Sequence, residues 1–386
     1  MSGPARGFPA SEYRVRVARA QARMAARGLA ALLLTTEADL RYFSGFLTRF
    51  WESPTRPWFL IVPASGDPVA VIPAIGAALM ARGWITDIRT WPAPDPEDDG
   101  VSLLADALSK IAGKGGRVGL PMGLESHLRM PLADWAGVQA RAAVEITDDG
   151  GITRALRMVK SEAEIDRIRA ACAVAGRAFA RVPEIARAGV PLEDLFRRFQ
   201  CLCLEEGADW VPYLAGAAEQ GGYADVISPA GPDPLRRGDV LMLDTGVIRD
   251  GYFCDFDRNF SVGPAGDAVR TAHAALIDAT QEAAEAAAPG RTAAELFGVL
   301  HAALSRHGTP GAGRLGHGLG MQLTEGLSLI PGDRTVLAPG MVITLEPGLS
   351  LGPGRLMVHE ENIVIRETGA EFLSPPAGRE IVTLEG

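Results

Sequence analysis

One pattern occurs twice in the second half of the chain, and it limits the folds available. Gly189-Val190-Pro191-Leu192-Glu193-Asp194-Leu195-Phe196 is echoed 101 residues later by Gly290-Arg291-Thr292-Ala293-Ala294-Glu295-Leu296-Phe297. Each copy stops one helix at a glycine and starts an amphipathic one. Each is followed by an apolar strand ending in an acid, Leu241-Met242-Leu243-Asp244 and Ile343-Thr344-Leu345-Glu346, and these acids stand 102 residues apart. Matching offsets in two independent features predict a duplicated helix–helix–strand–strand unit. Its halves would face each other across a pseudo-two-fold axis, with the acids converging.

The segment after the first of these acids is a hairpin. Asp250-Gly251 is a strong two-residue turn signal between β-rich runs. With that turn, Arg249 lies opposite Tyr252, Asp244 opposite Asp257, and Gly246 opposite Asp255. Opposed and alternate residues share a sheet face, so Asp244, Asp255 and Asp257 project together from an apolar strand. Three crowded carboxylates need raised pKa values, a basic partner or a bound cation. Solvated surface acids are the plainer alternative, but Leu241–Leu243 is a poor solvent-facing run.

The C-terminal third adds Gly316-His317-Gly318-Leu319-Gly320, then Glu346-Pro347-Gly348, then Val358-His359-Glu360-Glu361. Strand alternation puts Val358 and Glu360 on one face, His359 and Glu361 on the other. The candidate site is Asp244, Asp255, His317, Glu346 and Glu360. Oxygen-rich ligation favours Mn²⁺, Co²⁺ or Fe²⁺ over a thiolate zinc site. Four carboxylates overcompensate one divalent ion, so two ions fit better. On spacing alone, a single histidine in a glycine loop is more often structural than ligating.

Residues up to about 150 alternate between strand-like runs (Ala30–Leu34, Trp58–Val62, Val69–Ile72, Val118–Leu120) and helical ones (Ser11–Arg27, Ile75–Met80, Val101–Ile111). That alternation predicts an α/β layer domain over 1–150, followed by a second domain over 151–386. In the second, Ser161 and Glu164 form a capping box opening a long helix that runs to Gly189. Thr48–Pro57, rich in aromatics, Arg and Pro, reads as a loop or a substrate-facing arm. With 38 basic against 47 acidic residues and a net charge of −9, the chain has no basic run for nucleic acid. Its longest apolar run, near Leu29–Leu34, is far short of the ~20 residues of a membrane span. The N-terminus has no apolar signal region, and four cysteines without a C-x-x-C pair fit reduced thiols. These features lead to an expectation of a cytoplasmic protein with no membrane partner.

At the acidic residues the sequence resembles the pita-bread metallopeptidase superfamily of Xaa-Pro aminopeptidase, prolidase, methionine aminopeptidase and creatinase. Asp244-Thr245-Gly246 resembles its first Asp-x-Gly. Asp255-Phe256-Asp257-Arg258 resembles its Ser-Asp-x-Thr-Arg stretch, with Cys254 and Asp257 as variants. His317 in Gly-His-Gly-x-Gly, Glu346 in Glu-Pro-Gly, and Glu360 complete the set. Ala31–Phe46 is similar to the creatinase-like N-terminal domain. The resemblance implies an α+β fold, with a duplicated C-terminal pita-bread domain and a smaller α/β creatinase-like N-terminal domain. It implies two divalent ions, Mn²⁺ first and Co²⁺, Fe²⁺ or Zn²⁺ otherwise. Asp255 and Glu360 would bridge them, Asp244 would hold one, and His317 and Glu346 the other. Amide C–N hydrolysis of Xaa-Pro dipeptides or peptides is the implied activity, with Glu346 also moving the proton.

Three positions depart from the proline-specific pattern. Ile227, Thr324 and Val358 stand where that pattern has His, His and Arg. The alternative they raise is a non-peptidase C–N hydrolase or lyase acting on a small osmolyte-like or guanidino compound. Together with Asp257, they are candidate substrate-pocket residues. The family also implies a homodimer, with Arg49, Trp51 and Arg56 near a neighbouring pocket.

Overall fold

The structure, a computed structural model, describes residues 6–53, 56–311 and 313–386. Residues 1–5, and Pro54 and Thr55 of the Thr48–Pro57 segment, lie outside them. The chain divides into two compact units, Arg6–Arg157 and Met158–Gly386, so the helix Ile152–Met158 falls almost wholly in the first.

In the first unit, Ala31–Leu34 is an unbroken apolar run with every residue buried, as a strand covered on both faces requires. It sits within a six-stranded sheet ordered Asp87–Trp91, Val69–Pro73, Phe59–Pro63, Ala31–Leu34, Arg117–Leu120, Glu145–Asp148. It pairs antiparallel with Phe59–Pro63 and parallel with Arg117–Leu120. The helix Val101–Ala112 packs Leu104, Ala105 and Leu108 into one core with Leu33, Ile61 and Val118. A buried ion pair between Asp39 and Arg157, 2.7 Å apart, lies in the same unit.

The second unit carries the repeated plan. Ser161 caps the helix Glu162–Ala180: its hydroxyl accepts the Glu164 N–H, and the Glu164 carboxylate accepts the Ser161 N–H. The helix stops at Ala180 rather than continuing to Gly189. Pro183 is the cause, since its ring cannot donate to residue 179 and crowds that carbonyl; a short helix, Val182–Ile185, begins around it. Leu192–Glu205 is the second helix of this half. The other half has Asp267–Ala286, then Ala293–Ser305, opened by a Thr292–Glu295 capping box. Each half also contributes an antiparallel strand pair: Asp239–Arg249 with Phe256–Val262, and Val342–Leu345 with Glu361–Arg366. The apolar faces of the second pair, through Ile343, Leu345 and Ile363, share a core with Leu276, Leu296 and Leu300 of the helices.

The loop that carries His317 is tied to the start of the unit by a buried ion pair. Lys160 Nζ lies 2.8 Å from Glu325 Oε1, with both side chains almost fully enclosed. The Glu325 N–H in turn donates to the Gly318 carbonyl at 2.8 Å. Removing Lys160 takes away the countercharge that faces the buried Glu325 carboxylate. Lys160→Ala is therefore expected to cost about 3–5 kcal/mol of stability, measured by urea unfolding. A loss below about 1 kcal/mol, the worth of a surface pair, would mean the pair does not fasten the loop.

Candidate metal centre

The hairpin turn has φ of 49° at Asp250 and 79° at Gly251, the two positive values a type I′ turn demands. It sets Arg249 opposite Tyr252 and Asp244 directly opposite Asp257. The ladder breaks at Cys254 and Asp255. The Cys254 N–H donates to the Val247 carbonyl at 3.0 Å, and Gly246 pairs with Tyr213 on its other side. The expected Gly246–Asp255 pair is not formed. Asn362 takes over the freed backbone: its amide oxygen accepts the Asp255 N–H at 3.0 Å, and its amide N–H donates to the Asp255 carbonyl. Asp255 is thus held at a strand break by a side chain from the other half of the repeat.

His317 is placed by close backbone packing. A Cβ at Gly316, where φ is 145°, would stand 2.2 Å from the Thr344 carbonyl oxygen, and one at Gly318 would stand 2.0 Å from that of Glu325. Only glycine permits these approaches. The loop docks on Val342–Leu345: the His317 N–H donates to the Thr344 hydroxyl at 3.0 Å, and the Thr344 N–H to the His317 carbonyl at 2.7 Å. His317 Nδ1 lies 2.9 Å from the Gly318 carbonyl, which can only accept, so Nδ1 carries a hydrogen. Nε2 faces Glu346 Oε1 at 2.8 Å and Asp255 Oδ2 at 3.3 Å.

The donor set fits a cation. Ligand atoms of Asp255, His317 and Glu360, all buried, lie within 4.8 Å of one another. Asp244 Oδ1, Asp255 Oδ1, Asp257 Oδ2 and Glu360 Oε1 are buried with no hydrogen-bond partner among the described residues. Buried carboxylate oxygens are rarely left so, and a bound cation would satisfy them. Without one, burial and then the neighbouring carboxylates push Asp244 and Glu360 far above the ordinary range. Burial raises Asp255 to about 6. Burial alone would lower His317, but the Glu346 carboxylate and the hydrogen bonds to Asp255 and Glu346 raise it to about 10. For Glu346, burial pulls upward and the His317 charge prevails, leaving its pKa lowered.

A further layer holds the ligands in place. The Tyr213 hydroxyl donates to Asp244 Oδ2 at 2.9 Å, and the Thr344 hydroxyl to Glu346 Oε1 at 2.5 Å. Asp257 Oδ1 accepts the Glu360 N–H at 3.0 Å and lies 3.2 Å from His359 Nδ1. His359 Nε2 reaches Glu361, which pairs with Arg258 at 3.0 Å. Sequence reasoning missed Thr344, although its position two residues before Glu346 at the end of the strand Val342–Leu345 was a usable signal. Asn362 gave none, because its contacts are tertiary.

The five candidate ligands, with Tyr213, Asp257 and His359, border a cavity of about 380 Å³. Ile227 lines its rim and is 78% exposed, and Val358 lines its wall. Thr324 is not among the lining residues; it accepts a hydrogen bond from Arg314 at 3.2 Å. Trp51 belongs to the N-terminal unit, on the turn Phe50–Glu52, where it packs on Trp58 and under the Arg129 guanidinium.

Because Asn362 fixes both backbone groups of Asp255, Asn362→Ala is expected to weaken Mn²⁺ binding roughly 10–100-fold, as loss of a ligand's supporting hydrogen bonds does elsewhere. Calorimetric titration would read this, and unchanged affinity would show that the strand break holds itself.

Comparison with known proteins agrees with this geometry. The model of metallopeptidase family M24 matches residues 166–367, and that of the creatinase/prolidase N-terminal domain matches residues 16–159. The probable dipeptidase PepE of Mycobacterium tuberculosis is 31% identical over 375 residues, 95% of each chain. The Xaa-Pro dipeptidase of Pyrococcus furiosus is 30% identical over 228 residues, covering 58% of this chain and 65% of that one. The crystal structure of dipeptidase PepE from Mycobacterium ulcerans superposes with a TM-score of 0.83 at 26% identity, covering 98% of this chain and all of that one. The family-model matches and the full-length relative together make this chain a member of metallopeptidase family M24, with a creatinase/prolidase N-terminal domain.

Proposed function

We propose that the protein is a metal-dependent dipeptidase that hydrolyses the amide bond of Xaa-Pro dipeptides, with residues 151–386 as the catalytic domain. The observation that carries this reading is the group of four partnerless buried carboxylate oxygens around His317, opening on a cavity of about 380 Å³. That size lies near the small end of ligand pockets and suits a short peptide. The names of the relatives, dipeptidase and Xaa-Pro dipeptidase, favour a peptide over an osmolyte-like substrate.

Asp244, Asp255, His317, Glu346 and Glu360 would hold two divalent ions, for which we favour Mn²⁺ because the donors are chiefly hard oxygens. Such ions, when bound, activate water and polarise a carbonyl oxygen. The protein's own groups do the rest. Glu346 is 22% exposed at the cavity, with Oε1 fixed by His317 and the Thr344 hydroxyl. Its other oxygen is available to take a proton from the attacking water and return it to the leaving nitrogen. Tyr213 fixes Asp244 by donating to its Oδ2. Met242, Leu315, Leu323, Leu349 and Val358 give the cavity apolar walls suited to a proline ring and a small side chain.

The finer points of this reading rest on the resemblance: a cytoplasmic homodimer in which Trp51 approaches a neighbouring pocket. Four unpaired cysteines support the compartment. Protein purified without chelator is expected to carry about two equivalents of Mn per chain and to sediment as a dimer. Elemental mass spectrometry and sedimentation check both, and protein that takes up no Mn²⁺ would overturn the ligand assignment. Glu346→Ala is expected to lower kcat on Ala-Pro roughly 10²–10⁴-fold. Near-wild-type turnover would remove Glu346 from the mechanism.

A further inference from the structure

The partnerless carboxylate oxygens do not coincide with the candidate ligand set. They are Asp244 Oδ1, Asp255 Oδ1, Asp257 Oδ2 and Glu360 Oε1. His317 Nε2 and Glu346 Oε1 meet one another at 2.8 Å and contribute none of them. Asp257 contributes one, although it stands outside the five candidate ligands, and it lines the cavity while only 1% exposed. Its Oδ1 accepts the Glu360 N–H at 3.0 Å and lies 3.2 Å from His359 Nδ1. One oxygen thus fixes the carboxylate and leaves Oδ2 bare. Asp244, directly opposite in the ladder, is arranged alike: Oδ2 accepts the Tyr213 hydroxyl at 2.9 Å and Oδ1 is bare. Opposed residues share a sheet face with their Cβ atoms about 4.5–5.5 Å apart. Two carboxylates therefore stand side by side, each with one oxygen tied and one bare, an arrangement that a cation relieves.

From this arrangement we infer that Asp257 is a sixth metal ligand, whose Oδ2 joins Asp244, Asp255 and Glu360 in an all-carboxylate subsite for one hard divalent ion. The inference rests on the two-ion reading above and adds a donor to it. Asp257 stands where the Ser-Asp-x-Thr-Arg stretch that this segment resembles has threonine. A hydroxyl at that position can accept a backbone N–H as Oδ1 does, so support of Glu360 alone does not call for a carboxylate. What the carboxylate adds is a second oxygen and a charge, and Oδ2 is the oxygen left bare. The added charge is answered from behind. His359 lies between Asp257 and Glu361, at 3.2 and 3.3 Å, and Arg258 pairs with Glu361 at 3.0 Å. Four anionic oxygens with no nitrogen among them suit Mn²⁺ or Mg²⁺, whereas the neighbouring position has the His317 imidazole.

Asp257→Asn separates ligation from support. Its amide oxygen still accepts the Glu360 N–H, while its NH₂ group takes the place of Oδ2 and donates rather than ligates. The measurement is calorimetric titration of the metal-free protein with Mn²⁺. The wild type is expected to take up two ions. In Asp257→Asn, one of the two is expected to bind about 100-fold more weakly, the upper end of what loss of a ligand's hydrogen-bonding partner costs. The other is expected to keep its affinity, which also shows that the variant is folded. Two ions bound with wild-type affinities would mean that Asp257 only supports Glu360, and would overturn the inference. So would wild-type Mn²⁺ binding with a raised KM for Ala-Pro, which would make Asp257 a contact for the substrate ammonium. Equal weakening of both ions would mean a general disturbance of the centre and would overturn it as well. If the wild type cleaves no Ala-Pro and Asp257→Asn still weakens one ion alone, the peptidase reading fails and the sixth ligand stands. A wild type that takes up no Mn²⁺ overturns the sixth ligand together with the other five.

Discussion

The mutual repulsion of buried carboxylates is the constraint on which the rest of this structure depends. Asp244 and Asp257 stand directly opposite one another in the ladder, and Asp255, Glu346 and Glu360 line the same cavity. Two like charges 4 Å apart cost about 4 kcal/mol even at an effective dielectric of 20, and Asp255 and Glu360 bring carboxylate oxygens within 4.8 Å of one another. The site therefore opposes folding, and the scaffold has to hold it. It does so with two antiparallel strand pairs, backed by helices that open at capping boxes. The internal countercharges are His317 against Asp255 and Glu346, and His359 with Arg258 against Asp257 and Glu361. They neutralise part of the cluster and leave four oxygens without partners. That remainder is what a pair of divalent ions would satisfy, so ligand binding and conformational stability are linked at this site.

The two halves of the repeat hold their acids differently. In the first, the tight Asp250-Gly251 turn dictates the register, and Asp244 lies within a continuous strand. In the second, Glu346 lies just beyond the end of Val342–Leu345, and Glu360 just before Glu361–Arg366. Strand ends are free to flex, so the second half needs outside supports. The Thr344 hydroxyl and the His317 loop hold Glu346, and the Asp257 carboxylate holds the Glu360 N–H. The halves also brace one another, since Asn362 of the second secures the strand break of the first. Duplication supplies the frame, and contacts between the copies supply the precision.

This division explains what could be read from the sequence. The opposition of Asp244 and Asp257 was legible because a two-residue Asp-Gly turn leaves one register open and side chains alternate with period two. Ala31–Leu34 was legible as a buried strand from its unbroken apolar run. The helix opened by Ser161 ends at Ala180, short of Gly189, because Pro183 is a stronger breaker inside a helix than a glycine beyond it. The ladder break at Cys254 and Asp255 had no local signal. It forms because a side chain more than a hundred residues away accepts and donates the hydrogen bonds the ladder gives up. Loop contacts such as Arg314 with Thr324 were equally hidden, since no periodicity governs them.

The chain's departures from the proline-specific pattern are better understood together than singly. Where that pattern has imidazoles and a guanidinium, this chain has Ile227, Thr324 and Val358, and among the described residues lining the cavity the one permanent cation is Arg314, on the His317 loop beside Glu346. An imidazole changes charge near neutral pH, whereas a guanidinium stays charged throughout. A guanidinium beside carboxylates therefore attracts them equally across that range. The cation also becomes rigidly coupled to the metal centre. Arg314 is three residues from His317 on a loop fixed by Gly316, Gly318 and the Lys160–Glu325 pair. A shift of that loop would move the candidate ligand His317 and the Arg314 guanidinium together, so the place of both beside Glu346 is set by one short stretch of backbone.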